Sequence, residues 1–383
     1  MTGGKTSAGD RGSAEVHSGL AGIISHKSSI SSIIGQTLTY RGISIDELVE
    51  NGTFEEITGL LWNGTLPGEK ELVDLRTAFQ REFRLPPPVT KVLHDLPRAA
   101  DPMRVLQLGM AALGIHDPDR DDNSPEANRR KALRITPQLS ALTCAFHRIR
   151  TGKEPIEASS EPTFAGNFFF HLNGREPKEI EEEAIDQALL LHADHELNAS
   201  TFSARVTAST LSDLHSALAA AIGTLKGPLH GGANRAVMET LQKIGSLENV
   251  EPWLLPALER KEKVMGFGHR VYKSGDPRAR HLKVMSRKLC DLTGQTHWYQ
   301  MSEKLEKLMK EKKGLLPNVD FYSASSYHCL GIPPDLFTPI FACSRVVGWI
   351  AHLFEQYAAN DLIRPRALYT GPQEAHWIKL GDR

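Results

Sequence analysis

The chain has 383 residues, of which 45 are lysine or arginine and 46 are aspartate or glutamate, so its formal net charge at neutral pH is −1. This balance excludes the cationic surface typical of nucleic-acid-binding and membrane-surface proteins, and any cationic site must be local. The length exceeds the roughly 250 to 300 residues at which a single core stops growing, which predicts two domains with a cleft between them.

Residues 1–18 are rich in Gly, Ser and Thr and have almost no large apolar side chain, which predicts a flexible tail. Between Gly19 and Gly42, short β-branched runs broken by Gly35 predict one or two small hairpins. This is the only convincing strand signal in the chain.

Helical patterns dominate the rest of the chain. Thr53, with Glu56 three residues later, predicts a capping box at the start of a helix that ends near Trp62. The segment 117–128 is rich in Asp, Arg, Asn and Pro and is expected to be an exposed loop. Periodicity predicts further helices over 44–49, 101–113, 136–151, 180–195, 211–225, 235–244, 253–260, 279–289, 292–313 and 337–357.

The helix predicted over 180–195 ends in the dense segment HADHELN at 192–198. Two histidines at i and i+3 beside carboxylates are compatible with a metal site, with a packed histidine pair, or with His195 as a substrate-facing donor. A zinc site needs a third ligand and more often uses i, i+4 spacing. The expected helix end at Asn198 and Ser200 places His195 near a helix terminus, which favours the third interpretation.

His230 lies in the segment GPLHGGAN at 227–234, between two helical patterns. The glycines allow close approach of the backbone, and the proline ends the preceding helix. Such a junction leaves backbone groups free to meet a polar substrate. The alternative is a helix C-cap followed by a turn that happens to contain a histidine.

The segment VMGFGHRVY at 264–272 again places glycines beside a histidine, His269. Its Gly-x-Gly lacks the third glycine and the preceding strand of a dinucleotide-binding fingerprint, so a Rossmann fold is not indicated. Close approach of the backbone to a ligand is still expected. The next turn, DPR at 276–278, would present Arg278. The lysine-rich helix over 292–313 is either a solvated face or a contact for phosphates.

Asp320 lies among apolar and aromatic neighbours in PNVDFYS at 317–323, which would raise its pKa and suit a general base. The alternative is that Asp320 is the N-cap of a helix beginning near Ser323. Arg345 lies one turn before Trp349, beside an apolar helical stripe, and either snorkels to the surface or reaches into a site.

The sequence resembles citrate synthases of the shorter bacterial and archaeal kind, a group that includes the 2-methylcitrate synthases. The resemblance extends from about Gly19 to Pro372, and no position that the family uses for chemistry departs from its pattern. The segments that carry it, in this order, are YRG (40–42), FEE (54–56), HELNAS (195–200), GPLHGGAN (227–234), GFGHRVY (266–272), DPR (276–278) and NVD (318–320).

This resemblance implies an all-α, two-domain fold with a small N-terminal β-hairpin region. A large discontinuous domain would comprise 19–226 and 327–383, and a small catalytic domain would comprise 227–326. Closure of the domains would form the active site, and the working unit would be a homodimer.

The same resemblance implies a catalytic trio of His230, His269 and Asp320. Asp320 would remove a proton from the methyl group of acetyl-CoA while His230 hydrogen-bonds the thioester oxygen. His269 would polarise and protonate the ketone of oxaloacetate, and citryl-CoA would then be hydrolysed to citrate and CoA. Neither a metal nor a cofactor is implied, since acetyl-CoA is a co-substrate.

Carboxylate recognition would use arginine, whose planar group donates two parallel hydrogen bonds. Arg278, Arg345 and Arg364 occupy the family's matching positions, with Arg364 supplied by the neighbouring subunit, and His195 would add a further hydrogen bond. The residues expected to contact CoA through their backbone are Val264, Met265, Gly266, Phe267 and Gly268.

Three alternatives accompany this interpretation. A 2-methylcitrate synthase, or a dual-specificity enzyme, would accept propionyl-CoA, which differs by one methylene worth about 1 to 3 kcal/mol of discrimination. A metal-dependent hydrolase would use His192, Asp194 and His195. A helical scaffold without chemistry would have lost part of the catalytic trio, and none of it is lost.

The four cysteines include no Cys-x-x-Cys pair and are too few to staple a chain of this length, so we expect reduced, mostly buried thiols. No apolar run reaches the roughly 18 residues of a membrane helix, and the N-terminus lacks the apolar segment of a signal peptide. These features predict a soluble, cytoplasmic protein without nucleic-acid or membrane partners.

Overall fold

The computed structural model describes residues 16–20, 22–269 and 271–383. These residues form sixteen α-helices, three short 3-10 helices and three β-strands, which confirms the predicted all-α class. Most of the predicted tail at 1–18 lies outside the described residues. Two compact units are present, one spanning Ser28–Leu362 and the other containing the described residues up to Lys27 together with Ile363–Arg383. The division of the first unit into a large and a small domain stays a prediction.

The strands form one antiparallel sheet near the N-terminus. They are β1 (Ser31–Ile34), β2 (Thr37–Tyr40) and β3 (Ile43–Ser44), in that spatial order. Gly35 adopts a positive φ of 64° in the two-residue turn between β1 and β2, where a side chain would be strained. The predicted hairpin is therefore confirmed, and Tyr40 at the end of β2 is fully buried.

The helices follow in sequence. The first eight are α1 (Ile45–Asn51), α2 (Phe54–Asn63), α3 (Glu69–Glu82), α4 (Pro87–Asp95), α5 (Pro102–His116), α6 (Pro125–Arg150), α7 (Phe164–Asn173) and α8 (Glu179–His192). Next come α9 (Ala199–Ser209), α10 (Leu214–Leu225), α11 (Ala233–Ile244), α12 (Val250–Glu259), α13 (Pro277–Leu292), α14 (Thr296–Lys313), α15 (Val319–Cys329) and α16 (Phe337–Ala358). The capping box before α2 is present, with Glu56 Oε2 accepting from Thr53 N at 2.9 Å.

Several predicted boundaries are wrong, including the start of the helix predicted over 136–151, which begins at Pro125. The expected exposed loop at 117–128 is shorter, because α6 already begins at Pro125 and Asp117 is buried against Arg134 at 2.7 Å. The helix expected to reach His195 ends at His192. Asn198 accepts from two backbone N–H groups of the next helix, so it caps α9 and makes the dense polar segment a connection between helices.

Helix α16 lies at the centre of the first unit and packs against α2, α6, α8, α9 and α10. The expectation that no run is long and apolar enough for a membrane helix is wrong by length and hydropathy alone, because Pro334–Ala358 meets both criteria. Its most apolar window is, however, entirely buried inside the protein. Its apolar composition is thus accounted for by its position in the core.

Gly348 allows α16 to approach the segment that follows α8. A Cβ added at Gly348 would overlap the carbonyl oxygen of Ala193 and lie 2.5 Å from Asp194 Oδ1. Both atoms belong to a buried segment that cannot rotate aside in the way a flexible side chain can. The spacing between α16 and this connection therefore depends on the absence of a side chain.

We expect Gly348→Ala to lower the free energy of unfolding by about 1 to 3 kcal/mol, because the added methyl group forces the backbone apart. Gly223→Ala in α10 is the matched control, since the new Cβ would meet the amide end of the flexible Gln107 side chain. Urea unfolding at one protein concentration measures both. A smaller loss for Gly348→Ala than for Gly223→Ala would contradict this account of the packing.

Candidate active site

His230 lies in the tight turn between α10 and α11, as the sequence predicts. The turn is closed by hydrogen bonds from His230 N to Gly227 O at 2.9 Å and from Gly231 N to Leu225 O at 3.0 Å. A Cβ at Gly231 would overlap that same Leu225 oxygen, so only glycine permits the approach. The glycine beside the histidine therefore serves the shape of the turn.

The ring of His230 contacts the start of α9. Its Nε2 lies 2.8 Å from Ser200 Oγ and accepts the backbone N–H of Ser200 at 3.3 Å. Burial lowers the pKa of His230 to about 4, and the nearby Arg345 lowers it further, so the imidazole is neutral at pH 7. Because a backbone donor faces Nε2, the single ring proton belongs on Nδ1.

His269 has the opposite tautomer. Its Nδ1 accepts backbone N–H groups from Val271 at 3.1 Å and Tyr272 at 3.3 Å, so its proton belongs on Nε2. Burial lowers the pKa of His269, an effect that Asp276 opposes. His230 and His269 are therefore both neutral hydrogen-bond donors near pH 7.

His195 lies beside His269, in the connection between α8 and α9. Its Nε2 is 3.0 Å from Tyr272 Oη, and the centroids of the two histidine rings are 5.2 Å apart. Burial lowers the pKa of His195 well below its usual value, and Arg278 and Arg345 add to the effect. His195 is thus a third neutral imidazole, held by Tyr272.

Asp320 is the second residue of α15. Asn318 is the N-cap of that helix and accepts from Asp320 N at 3.1 Å, so the alternative that Asp320 is the cap is wrong. The half-buried Asp320 carboxyl has its pKa raised to about 7 by loss of solvent, with Arg278 opposing the increase. A carboxyl that ionises near neutral pH is suited to act as a general base.

Arg278 is the second residue of α13 and is buried against Asp276. Its Nε and Nη2 donate to the two oxygens of that carboxylate at 2.9 and 2.8 Å. One of these oxygens, Oδ2, also accepts Val319 N at 3.1 Å, at the start of α15. Asp276 thereby holds Arg278 in a defined position relative to the helix that carries Asp320.

Arg345 on α16 is only 2% exposed, so the snorkelling alternative is wrong. Its Nε donates to the carbonyl of His192 at 2.6 Å, and its guanidinium carbon lies 4.6 Å from the centre of the Phe341 ring. Among the described residues no carboxylate lies within 4.0 Å of it. Burial lowers the pKa of Arg345 to about 10, as expected for a cation whose charge lacks a close partner.

These side chains lie within electrostatic reach of one another. Arg278 and Arg345 both lower the pKa of His195 and oppose the raised pKa of Asp320, and Arg345 also acts on His230. The structure therefore brings together six of the predicted residues, which are His195, His230, His269, Arg278, Asp320 and Arg345. Arg364 lies in the second unit at an exposed position.

The loop expected to contact CoA runs between α12 and α13. Gly266 has a φ of 84°, and a Cβ there would lie 2.6 Å from a methyl group of Val237 and 2.8 Å from the ring of Phe321. The Gly266 carbonyl accepts Asn318 N, and Gly268 N donates to Leu316 O, both at 2.9 Å. The positive φ and the close packing at Gly266 already require glycine there, so contact with a nucleotide is not needed to explain that residue. The CoA contacts themselves stay a prediction.

The metal-site alternative has no geometric basis here. His192 Nδ1 donates to Ala188 O at 2.7 Å, while the Asp194 carboxylate accepts Glu196 N at 3.2 Å and lies 3.3 Å from His352. Across residues 16–20, 22–269 and 271–383, no three His, Cys, Asp or Glu side chains are arranged to hold a metal ion.

Sequence reasoning missed several residues that support the site. Asp276 had a usable signal, because an aspartate before a proline at the first helical position indicates an N-cap, two residues from the arginine it pairs with. Ser200 and Tyr272 lay within motifs that the sequence singles out, but only the fold shows their contacts with His230 and His195.

The profile of the family described as "Citrate synthase, C-terminal domain" matches residues 19–366. The chain belongs to the citrate synthase family. This range agrees with the resemblance predicted from about Gly19 to Pro372. Relatives in the family confirm the enzyme class, an acyltransferase.

Three similar proteins illustrate the breadth of the family. "Citrate synthase 2" of Bacillus subtilis is 53% identical over 366 residues, covering 95% of this chain and 98% of the relative. "Citrate/2-methylcitrate synthase" of the same organism is 43% identical, covering 93% and 96%. The Thermoplasma acidophilum citrate synthase, solved as a ternary complex with carboxymethyl coenzyme A and oxaloacetate, has a TM-score of 0.91 at 33% identity, covering 96% of this chain and all of that one.

Buried neutral His192, beneath Arg345, makes stability depend on pH. Burial lowers the pKa of His192 to about 3, so between pH 6.5 and 3 the unfolded state binds a proton that the folded state does not. The stabilisation from neutral His192 is present above pH 6.5 and is lost as the pH falls.

We expect the stability difference between wild type and His192→Asn to shrink by about 2 kcal/mol from pH 7 to pH 5, since one group contributes roughly 1.4 kcal/mol per pH unit below 6.5. Asparagine keeps a donor for the Ala188 carbonyl but does not titrate. Urea unfolding at each pH measures the difference, which should stay constant between pH 7 and 8. An unchanged difference at pH 5 would mean that His192 titrates normally.

Proposed function

We propose that this enzyme condenses acetyl-CoA with oxaloacetate and hydrolyses the resulting citryl-CoA to citrate and CoA. The observation that carries the proposal is the combination of a carboxyl with a pKa of about 7, Asp320, with two neutral imidazoles of opposite tautomer, His230 and His269. The family membership supports the same reaction.

The tautomers define which ring nitrogen of each histidine donates a proton to the substrates. The Asp320 carboxylate takes a proton from the methyl carbon of acetyl-CoA as Nδ1–H of His230 hydrogen-bonds the thioester oxygen, so an enol forms without a free carbanion. The enol carbon then attacks the ketone carbon of oxaloacetate, and Nε2–H of His269 supplies the proton to the ketone oxygen. Water finally cleaves the thioester, which releases CoA and makes the overall reaction favourable.

Oxaloacetate binding is proposed to use the excess buried positive charge of the site. Arg345 has no carboxylate partner within 4.0 Å among the described residues, and Asp276 occupies only Nε and Nη2 of Arg278. A dicarboxylate would supply the missing anions. His195, with its Nε2 directed to Tyr272, is proposed to add a hydrogen bond to the same substrate.

We propose the acetyl-CoA reaction as the main activity and keep propionyl-CoA as the alternative substrate. The relatives include one named citrate/2-methylcitrate synthase at 43% identity, which favours keeping this alternative. One methylene changes binding by about 1 to 3 kcal/mol, so we expect the two substrates to differ in kcat/KM without either being fully rejected.

A homodimer in the cytoplasm is also proposed. The segment from Ile363 onward carries exposed apolar side chains, including Tyr369 at 72% and Trp377 at 84% exposure, as expected of a surface that a second subunit covers. All four cysteines are free and buried, which suits a reducing compartment. Arg364 of the partner subunit would complete the oxaloacetate site.

Domain closure is proposed to order the two substrates. Contacts that link the expected large and small domains include His195 with Tyr272 at 3.0 Å and Asp46 with His281 at 2.5 Å. Oxaloacetate, bound from both sides by Arg345 and Arg278, would stabilise this arrangement and complete the acyl-CoA site.

The function is tested by measuring kcat/KM with oxaloacetate and either acetyl-CoA or propionyl-CoA, in wild type and in Asp320→Asn. We expect a preference for acetyl-CoA, and an Asp320→Asn kcat lower by about 10²- to 10⁴-fold, because an amide cannot accept the methyl proton. Oxaloacetate binding, measured by calorimetry, should persist in the variant. Retention of a tenth of the wild-type rate would remove Asp320 as the base.

Arg364 is tested by mixing subunits. Arg364→Ala and Asp320→Asn homodimers should each be nearly inactive, because loss of one partner of a buried charged contact weakens binding by about 2 to 5 kcal/mol. In a heterodimer of a twofold-symmetric enzyme, one site carries both lesions and the other carries neither. Random reassortment should thus restore about a quarter of wild-type activity per site. A mixture that stays inactive, although mass spectrometry detects heterodimers, would place Arg364 in its own subunit's site.

A further inference from the structure

Trp349 on α16 is fully buried, and its indole N–H donates to Ser200 Oγ at 3.1 Å. The same hydroxyl lies 2.8 Å from Nε2 of His230. Trp349 is therefore linked to the catalytic imidazole of His230 through a single intervening side chain, that of Ser200. It lies on α16, the helix that also carries Arg345. Nothing in the reaction described above assigns it a role.

The hydrogen atoms around Ser200 can be counted. An indole nitrogen only donates, so Ser200 Oγ must accept from Trp349. The one hydroxyl hydrogen has two possible acceptors, Nε2 of His230 at 2.8 Å and Oδ1 of Asn198 at 2.7 Å. That Asn198 oxygen already accepts the backbone N–H groups of Ser200 and Thr201, each at 3.1 Å.

Two arrangements follow from this count. In the first, the Ser200 hydroxyl donates to Nε2 of His230, whose proton is then on Nδ1, and Oγ accepts only from Trp349. In the second, Nε2–H of His230 donates to Oγ, which must accept two hydrogen bonds while its own hydrogen turns to Asn198. Trp349 thus competes with His230 as a donor to the same oxygen, and this competition disfavours a proton on Nε2.

We propose that Trp349 is a positioning residue that acts through Ser200 to hold His230 in the Nδ1–H tautomer. This inference rests on the proposed function, because only that tautomer presents a donor to a thioester oxygen while Nε2 faces Ser200. The backbone N–H of Ser200, 3.3 Å from Nε2, acts in the same direction. Removing the indole N–H frees an acceptor site on Oγ and makes the Nε2–H tautomer more favourable.

Burial makes the indole donor hard to replace. Ser200 and Trp349 are both fully buried, so bulk solvent does not reach the Ser200 hydroxyl to replace the indole donor. The adjacent Gly348 allows the close approach of α16 to the connection after α8, on the same face of the helix. A phenylalanine at position 349 would therefore remove the donor while keeping an aromatic ring in the core.

The test compares Trp349→Phe with Trp62→Phe. Trp62 on α2 is a matched control, because its buried Nε1 also donates to a residue of α16, Val347 O, at 3.0 Å. Its indole contacts no catalytic residue. Two quantities are measured for each protein, the tautomer of His230 from ¹⁵N NMR of the imidazole ring and the separate values of kcat and KM.

We expect Trp349→Phe to populate the Nε2–H tautomer of His230 and to lower kcat by about 10- to 100-fold, less than the loss of an oxyanion-stabilising donor itself. The KM for oxaloacetate should change by less than about twofold, since the arginines that would bind it are untouched. Trp62→Phe should keep the Nδ1–H tautomer and the wild-type kcat. If Trp349→Phe fails to fold, a benzothienyl analogue of tryptophan at position 349 keeps the ring shape and removes only the N–H.

An Nε2–H tautomer in wild type, or a Trp349→Phe variant in which His230 keeps the Nδ1–H tautomer, would overturn the proposal. A wild type inactive with both acyl-CoA substrates would instead refute the proposed function. The NMR comparison would in that case still decide whether Trp349 controls the His230 tautomer.

Discussion

Two buried guanidinium groups share a site in which only one of them has a carboxylate partner. Asp276 compensates Arg278, whereas Arg345 contacts a carbonyl and an aromatic ring. Burial is the main cause of the lowered pKa of His195, and the positive charge of the two arginines adds to it; for Asp320 the same charge opposes the rise in pKa that burial causes. The imidazoles therefore remain neutral donors and the carboxyl ionises near neutral pH. The same unbalanced charge is what an anionic ligand would neutralise.

Features governed by neighbouring residues were predictable from the sequence. The capping box at Thr53, the N-terminal hairpin and the turn around His230 each depend on local conformational preferences of Gly, Pro, Thr and Glu, and all three are present. The all-α class followed from helical periodicity over most of the chain. Five of the six site residues that the fold brings together lie in motifs whose order along the chain is specific, whereas Arg345 was named from the family's matching position.

Features that depend on distant contacts were not predictable. Nothing local to His195 shows that Asn198 starts a new helix, and nothing local to Arg345 distinguishes burial from snorkelling. The packing requirement at Gly266 was not visible in the sequence, because its neighbours in space, Val237 and Phe321, are far away in sequence. Supporting hydrogen bonds, such as the one that joins Trp349 to Ser200, likewise exist only after α9 and α16 have packed.

Helix α16 places Arg345, Gly348, Trp349 and His352 at spacings of three and four residues, so all of them face the segment around α8 and α9. Each residue of an α-helix is rotated by about 100° from the one before it. Inserting or deleting one residue after Arg345 would turn the other three away together. Substitutions can be tolerated one position at a time, whereas the length of this helix is expected to stay constant among functional relatives even where the loops on either side vary.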